Sequence, residues 1–249
     1  MFGDGGTVLF VRYDGFIPLV DGFMTAASPF RVSKDRLLLW QPASWDDYVC
    51  ARDAYQSLET PRVKLFFYED ALLVDDMGWE GINHAIVREL FGYILLFGLS
   101  ELPESATSMG GCLFEKDGRG AGSPDLVVYV GDDYPQWSEG ESRKIDLNRW
   151  RVPDLVGEIS DTTLASDLDK KKRLYATLGI EEYWVIDVAG RRAFLFCLDD
   201  GGQYQEVAES KILTGATRDL FRQTILKLKT MSNMQAANWF RDQLVSSQT

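Results

Sequence analysis

Three residues of this chain could together carry out hydrolytic chemistry: Asp125, Glu158 and Lys171. Two carboxylates converging from separate apolar strands suit a hard divalent cation with oxygen ligands and open water positions. Such an ion activates water and polarises a phosphoryl oxygen. A lysine beside it orients or deprotonates that water, or stabilises charge building on a phosphate. Plainer readings exist for each residue. An aspartate after proline, as in Pro124-Asp125 and Pro153-Asp154, is also an ordinary turn or strand-start residue. A lysine on an apolar face also snorkels or forms a structural ion pair.

Glu158 must sit on a strand. Leu155 to Ser160 is apolar except for this one carboxylate, and alternation puts Val156, Glu158 and Ser160 on one face. A lone carboxylate there is costly unless something cationic meets it. The following helix supplies the cation. Ser166 reads as its N-cap, Asp167 and Asp169 lie in its first turn near the positive dipole end, and Gly179 closes it. At about 100° per residue, Leu168, Leu174, Tyr175 and Leu178 form one stripe with Lys171 at its centre. Lys170 and Lys172 fall on the flanks and Arg173 lies opposite. Asp125 opens another apolar strand, Pro124 to Val130.

The remaining chain frames these pieces. Ser44-Trp-Asp-Asp starts a helix running to about Leu58, and Val63–Tyr68 with Ala71–Val74 reads as a hairpin. Glu80 to Leu99 predicts an apolar helix with Ile82, Ile86, Leu90, Tyr93 and Phe97 on one side. Glu80 at its start complements the helix dipole, and His84 reads as a packed or capping histidine. Residues 100–123 are glycine-rich strand and loop, and 131–148 are turn-rich. Glu182–Val188, Arg191–Leu198 and Tyr204–Ala208 follow as strands, and the chain from Arg218 is helical in pattern. The expectation is one α/β domain with a mixed sheet flanked by helices.

Composition excludes several functions. With His84 as the single histidine there is no two-histidine zinc motif, and no Gly-x-Ser-x-Gly elbow, phosphate-binding P-loop or dinucleotide fingerprint occurs. The net charge of −12 argues against a broad non-specific nucleic-acid surface while leaving room for a local basic groove. Cys50, Cys112 and Cys197 have no metal-type spacing and fit reduced thiols in a cytoplasm. The opening Met-Phe-Gly-Asp-Gly-Gly lacks the basic start and apolar core of a signal peptide, and the apolar run near Tyr93–Leu99 is too short to span a bilayer, so no membrane partner is expected.

At this point the residues resemble a family. Pro124-Asp125 followed by Glu158 is similar to the first elements of the PD-(D/E)XK nuclease superfamily. The run Pro153-Asp-Leu-Val-Gly-Glu158-Ile-Ser-Asp-Thr-Thr163, then Asp-x-Lys-Lys-x-x-x-Tyr175, then Gly179-Ile-Glu-Glu-Tyr-Trp-Val-Ile-Asp187, resembles the bacterial Uma-two family of restriction-endonuclease-like proteins. Gly78-Trp-Glu80-Gly-Ile-Asn-His84 resembles that family's N-terminal half, and the likeness covers roughly residues 44–210. It implies a restriction-endonuclease-like core, Mg²⁺ or Mn²⁺ as cofactor, and hydrolysis of DNA. Asp125 and Glu158 would ligate the metal, Glu80 would add the acidic residue of the first helix, and Lys171 would be the catalytic lysine. The lysine usual two residues after the glutamate is Ser160 here, so that role would have moved to the next helix.

Residues 1–43 have no counterpart in the family and read as an N-terminal extension, 44–210 as the nuclease domain, and 211–249 as a C-terminal helical segment. Leu220, Phe221, Ile225, Leu226, Leu228, Trp239 and Phe240 would either fold back onto the domain or form a homodimer. Two other readings stay open. One is an inactive nuclease fold that binds nucleic acid or a protein. The other is an enzyme of another class using paired carboxylates, such as a glycosidase, which Lys171 on the buried face disfavours.

Overall fold

The structure, a computed structural model, describes residues 39–56, 63–76 and 81–247. Glu80, one of the expected metal ligands, and nearly all of the N-terminal extension lie outside the described residues.

Described residues begin with a short strand, β1 (Gln41–Pro42), and helix α1 (Trp45–Gln56). Ser44 caps α1: its Oγ accepts from Asp47 N at 3.2 Å while Asp47 Oδ2 accepts from Ser44 N at 2.9 Å. The expected hairpin is β2 (Val63–Tyr68) and β3 (Ala71–Asp76). Its two turn residues, Glu69 and Asp70, both have positive φ, 46° and 51°, as a two-residue turn matching the strand twist requires.

Helix α2 (Ile82–Leu99) follows. Its buried face is not the one the spacing predicted. Val87, Leu90, Phe91, Ile94, Leu95 and Leu99 point inward, whereas Ile82 is 79% exposed. The helix is apolar around most of its circumference, so periodicity alone does not fix which side meets the sheet. By length and composition α2 could cross a membrane, but its buried side packs against the protein's own strands.

The chain then forms β4 (Ala106–Met109), β5 (Phe114–Lys116), β6 (Gly120–Gly122), β7 (Leu126–Val130) and β8 (Ile145–Asp146). After β9 (Leu155–Ser160) come α3 (Leu164–Leu168), α4 (Lys170–Leu178), β10 (Glu182–Asp187), β11 (Arg192–Leu198) and β12 (Tyr204–Val207). Two helices close it, α5 (Arg218–Lys227) and α6 (Asn233–Ser247).

The protein is mixed α/β. Its strands divide between two mixed sheets, ordered β1-β3-β2-β6-β5-β8 and β12-β11-β10-β9-β7-β4. In the second sheet β9 and β10 are parallel, as a strand–helix–strand crossover demands, and β7 runs antiparallel to β9. Helices α2, α5 and α6 cover one face of this sheet through a core containing Trp184, Phe91, Phe221 and Phe240. Phe221 and Phe240 stack with centroids 5.6 Å apart. The apolar residues of the C-terminal segment therefore fold back onto their own chain.

The other face of the second sheet meets α4 and the first sheet, in a core that joins Phe66, Phe114, Val156, Tyr175 and Tyr183. Strand β6 lets α4 come close because it is nearly devoid of side chains. A Cβ at Gly122 would press on the Tyr175 ring at 3.2 Å.

Two buried glutamates tie outlying segments to this frame. Glu115 accepts from Tyr48 Oη at 2.8 Å and from Arg52 Nη1 at 2.9 Å, and pairs with Lys144, so it fastens α1 and β8 to β5. Glu182 accepts from Trp184 Nε1 at 2.6 Å and from the amides of Lys211 and Ile212 at 3.0 and 3.1 Å. Burial pushes its carboxyl above the usual range.

Candidate active site

Strand pairing brings the two expected carboxylates together. Leu126 lies opposite Gly157 in the β7–β9 ladder, so Asp125 and Glu158 are the next residues on each strand beyond that pair. Both are buried. The two Pro-Asp sequences part company here. Asp154, at the opposite end of β7, accepts from Val130 N at 2.6 Å and from Arg151 Nη1 at 2.9 Å, and so serves the backbone.

The helix phase read from sequence holds. Lys171 is buried, Lys170 and Lys172 are half-buried and Arg173 is exposed. The helix itself differs. It begins at Leu164 and breaks at Asp169, whose φ and ψ are −119° and −89°, so α3 and α4 are separate. Ser166 does not cap it; its Oγ accepts instead from Trp40 Nε1 at 2.8 Å. Gly179 closes α4 at φ 82° as expected.

Asp167 lies one helical turn before Lys171 and shares its inward face, which the sequence reading missed. Asp167 is fully buried, accepts from Thr163 Oγ1 at 2.7 Å and lies 2.8 Å from Lys171 Nζ. Lys171 Nζ is also 3.3 Å from Glu158 Oε2 and 4.1 Å from the centre of the Phe66 ring. Burial alone would lower the Lys171 pKa, but Glu158 and Asp167 outweigh it and hold the ammonium charged.

Glu158 itself is under-compensated. Its Oε1 accepts from the Tyr175 hydroxyl at 2.5 Å. Burial pushes its pKa up to about 7, opposed by Lys171 and reinforced by Asp167 and Asp125. Lys171 is the chief opposing influence, but it does not offset that burial.

Asp125 behaves oppositely. Burial would raise it, but His84 and Lys64 outweigh burial and hold it far below the usual carboxylate range. Lys64 Nζ lies 2.5 Å from its Oδ1, and its Oδ2 accepts from Ile159 N at 2.8 Å. His84 Nε2 is 3.6 Å from Oδ2, so the one histidine of the chain reaches the site. Lys64 pairs across the hairpin with Asp75, whose pKa burial raises against the pull of Lys171 and Lys64. Neither Lys64 nor Asp75 was singled out from sequence. The signal was present: alternation puts Lys64 on the face of β2 that carries Phe66 and Tyr68. Ser160, at the vacated lysine position, is buried, and its Oγ has no hydrogen-bond partner among the described residues.

Four carboxylates (Asp75, Asp125, Glu158 and Asp167) thus share a cluster with two ammonium groups, Lys64 and Lys171. Burial raises Glu158 and Asp75, and the neighbouring carboxylates add to it against the pull of Lys171 and Lys64. In charge and in donor type the cluster fits a hard divalent cation. Among the described residues no three His, Cys, Asp or Glu side chains already surround one point, and Lys64 and Tyr175 each hold an oxygen that such an ion would take.

Comparison with known proteins adds the following. A family model described as "Uma2: Putative restriction endonuclease" matches residues 52–220. No curated protein matches the chain. Among solved structures, the chain is similar to a "putative nuclease belonging to DUF820 from Anabaena variabilis ATCC 29413". The two are 13% identical, over 76% of this chain and 97% of the other, with a TM-score of 0.48.

Proposed function

The chain belongs to the Uma2 family, and from that membership we propose that it is a divalent-metal-dependent endonuclease that hydrolyses DNA phosphodiester bonds. The family match supports a nuclease-like function. The observation that carries the finer reading is the placement of Asp125 and Glu158 at adjacent ends of β7 and β9, in a buried cluster of carboxylates.

In this reading Asp125 and Glu158 would hold Mg²⁺ or Mn²⁺, with Glu80 a third candidate. The ion would neutralise the phosphate and lower the pKa of a bound water. The residues of the chain do the rest. Ile159 N fixes one Asp125 oxygen, and Tyr175 fixes one Glu158 oxygen, so neither carboxylate is free to turn. Lys171 stays charged and holds the second Glu158 oxygen in place. The cores on either side of the second sheet keep water from the back of the cluster.

The test is cleavage of supercoiled plasmid with and without Mg²⁺ or Mn²⁺, by parent and Glu158→Ala protein. We expect metal-dependent cutting by the parent and none by the variant. A parent free of contaminating nuclease that cuts neither single- nor double-stranded DNA overturns the enzyme reading for these substrates. The second reading, a nuclease fold that binds without cutting, is favoured by one observation: Lys64 and Tyr175 already occupy oxygens of Asp125 and Glu158.

A further inference from the structure

The cluster contains two lysines, and their surroundings differ in a way that divides their roles. The Lys171 side chain is 2% exposed. Asp167, Glu158 and the Phe66 ring close around its ammonium at 2.8, 3.3 and 4.1 Å. No phosphate can touch it unless α4 or Phe66 moves. The Lys64 side chain is 11% exposed, and the neighbouring His84 side chain 12%, while Asp125 between them is 5%. Lys64 is itself buried, but the Lys64–His84 side is the less enclosed side of the cluster, and the Lys171–Asp167 side is sealed.

We propose that Lys64 is the ammonium that contacts the DNA phosphate at this site, and that Lys171 is a positioning residue that holds Glu158. The proposal rests on the nuclease reading and assigns the lysine within it. Lys64 is the only basic residue of the β2–β3 hairpin strands. Its ion-pair partner, Asp125, is a proposed metal ligand. A cation that takes up Asp125 releases Lys64 for an incoming anion, and phosphate oxygens are the anions that a DNA backbone presents. An ammonium is a point charge on a flexible stem, suited to that exchange. The bland alternative is that Lys64 is a fixed counter-ion of Asp125.

The experiment uses the full chain and a short fluorescent DNA duplex, with Ca²⁺ as the cation. Reductive methylation followed by mass spectrometry of the parent reads out which lysine the duplex shields. We expect Lys64 to be labelled in the free protein and protected by duplex, with Lys171 unlabelled in both. Anisotropy with Lys64→Met should show about tenfold weaker binding, the loss of one charge-assisted hydrogen bond, and Lys64→Arg should recover most of it. Mn²⁺ binding measured without DNA should be retained in Lys64→Met and weakened in Lys171→Met, where Glu158 is no longer held.

Duplex that leaves Lys64 labelling unchanged overturns the assignment, whether or not variants fold. Parent-like duplex binding by a folded Lys64→Met protein does the same. If the parent cuts DNA and Lys64→Met cuts equally well, the assignment fails and the nuclease reading stands. If duplex shields Lys64 but the parent never cuts, the nuclease reading fails and the phosphate contact stands.

Discussion

The hydroxyl of Tyr175 donates to Glu158 Oε1 at 2.5 Å, joining α4 to the one carboxylate within β9. Both groups are fully enclosed, so each is the other's replacement for water. Tyr175→Phe should therefore cost about 1.5–3 kcal/mol at pH 8, where Glu158 is ionised. At pH 5, where Glu158 is protonated, the loss should be smaller. Urea unfolding of both proteins at the two pH values measures this, and an equal cost at both would place the bond outside the carboxylate's ionisation.

Glu158 should also shape stability against pH. Its value in the fold is raised from 4.5 to about 7, so folding favours its protonated form. That contribution is complete below pH 4.5 and is lost as pH rises through 7, a total of about 3 kcal/mol. Asp125 has the opposite sign: it is lowered, and its contribution disappears on acidification below its ordinary value of 3.8. Glu158→Gln should flatten the stability profile between pH 4.5 and 7 and leave the acid limb in place. A profile with the parent's slope would contradict the burial argument.

Lys171 offsets two enclosed carboxylates, so its removal is expected to be severe. Lys171→Met should destabilise the fold by about 3–5 kcal/mol, because Asp167 and Glu158 would be left without their cation. Asp167→Asn in the same chain should recover part of the loss. A double-mutant cycle by chemical denaturation gives the coupling, and additive costs would mean that the pair does not interact.

Gly110 packs directly on the main chain of Asp125. A Cβ there would collide with the Asp125 carbonyl oxygen, a backbone atom that cannot swing away. Gly110→Ala should destabilise by about 1–3 kcal/mol and weaken Mn²⁺ binding through displacement of Asp125. Calorimetric titration with Mn²⁺ checks this; parent affinity in the folded variant would show that the ladder absorbs the shift.

What could be read from sequence was whatever a short period determines. Alternation in Leu155–Ser160 and the stripe around Lys171 predicted a facing carboxylate and ammonium, and both are there. Lys64 obeys the same rule, a charge on an apolar face, but β2 looked like half of an ordinary hairpin. Nothing local told which sheet would meet which. Asp167 was hidden for another reason. A first-turn acid normally faces solvent, so Asp167 was read as a dipole-complementing residue although its spacing of four from Lys171 puts both on one face. The face of α2 was ambiguous because apolar residues surround it.

The Glu182 carboxylate has a bearing on how this protein could be divided. Its Oε2 is held by the amides of Lys211 and Ile212, beyond the last strand. A chain ending at residue 210 would keep every strand yet bury an acid with that oxygen stripped of both donors, and would uncover the face over which Phe221 and Phe240 stack. The C-terminal helices are thus not a portable module, and grafting the β-sheet portion alone into another protein would transplant an incomplete interior.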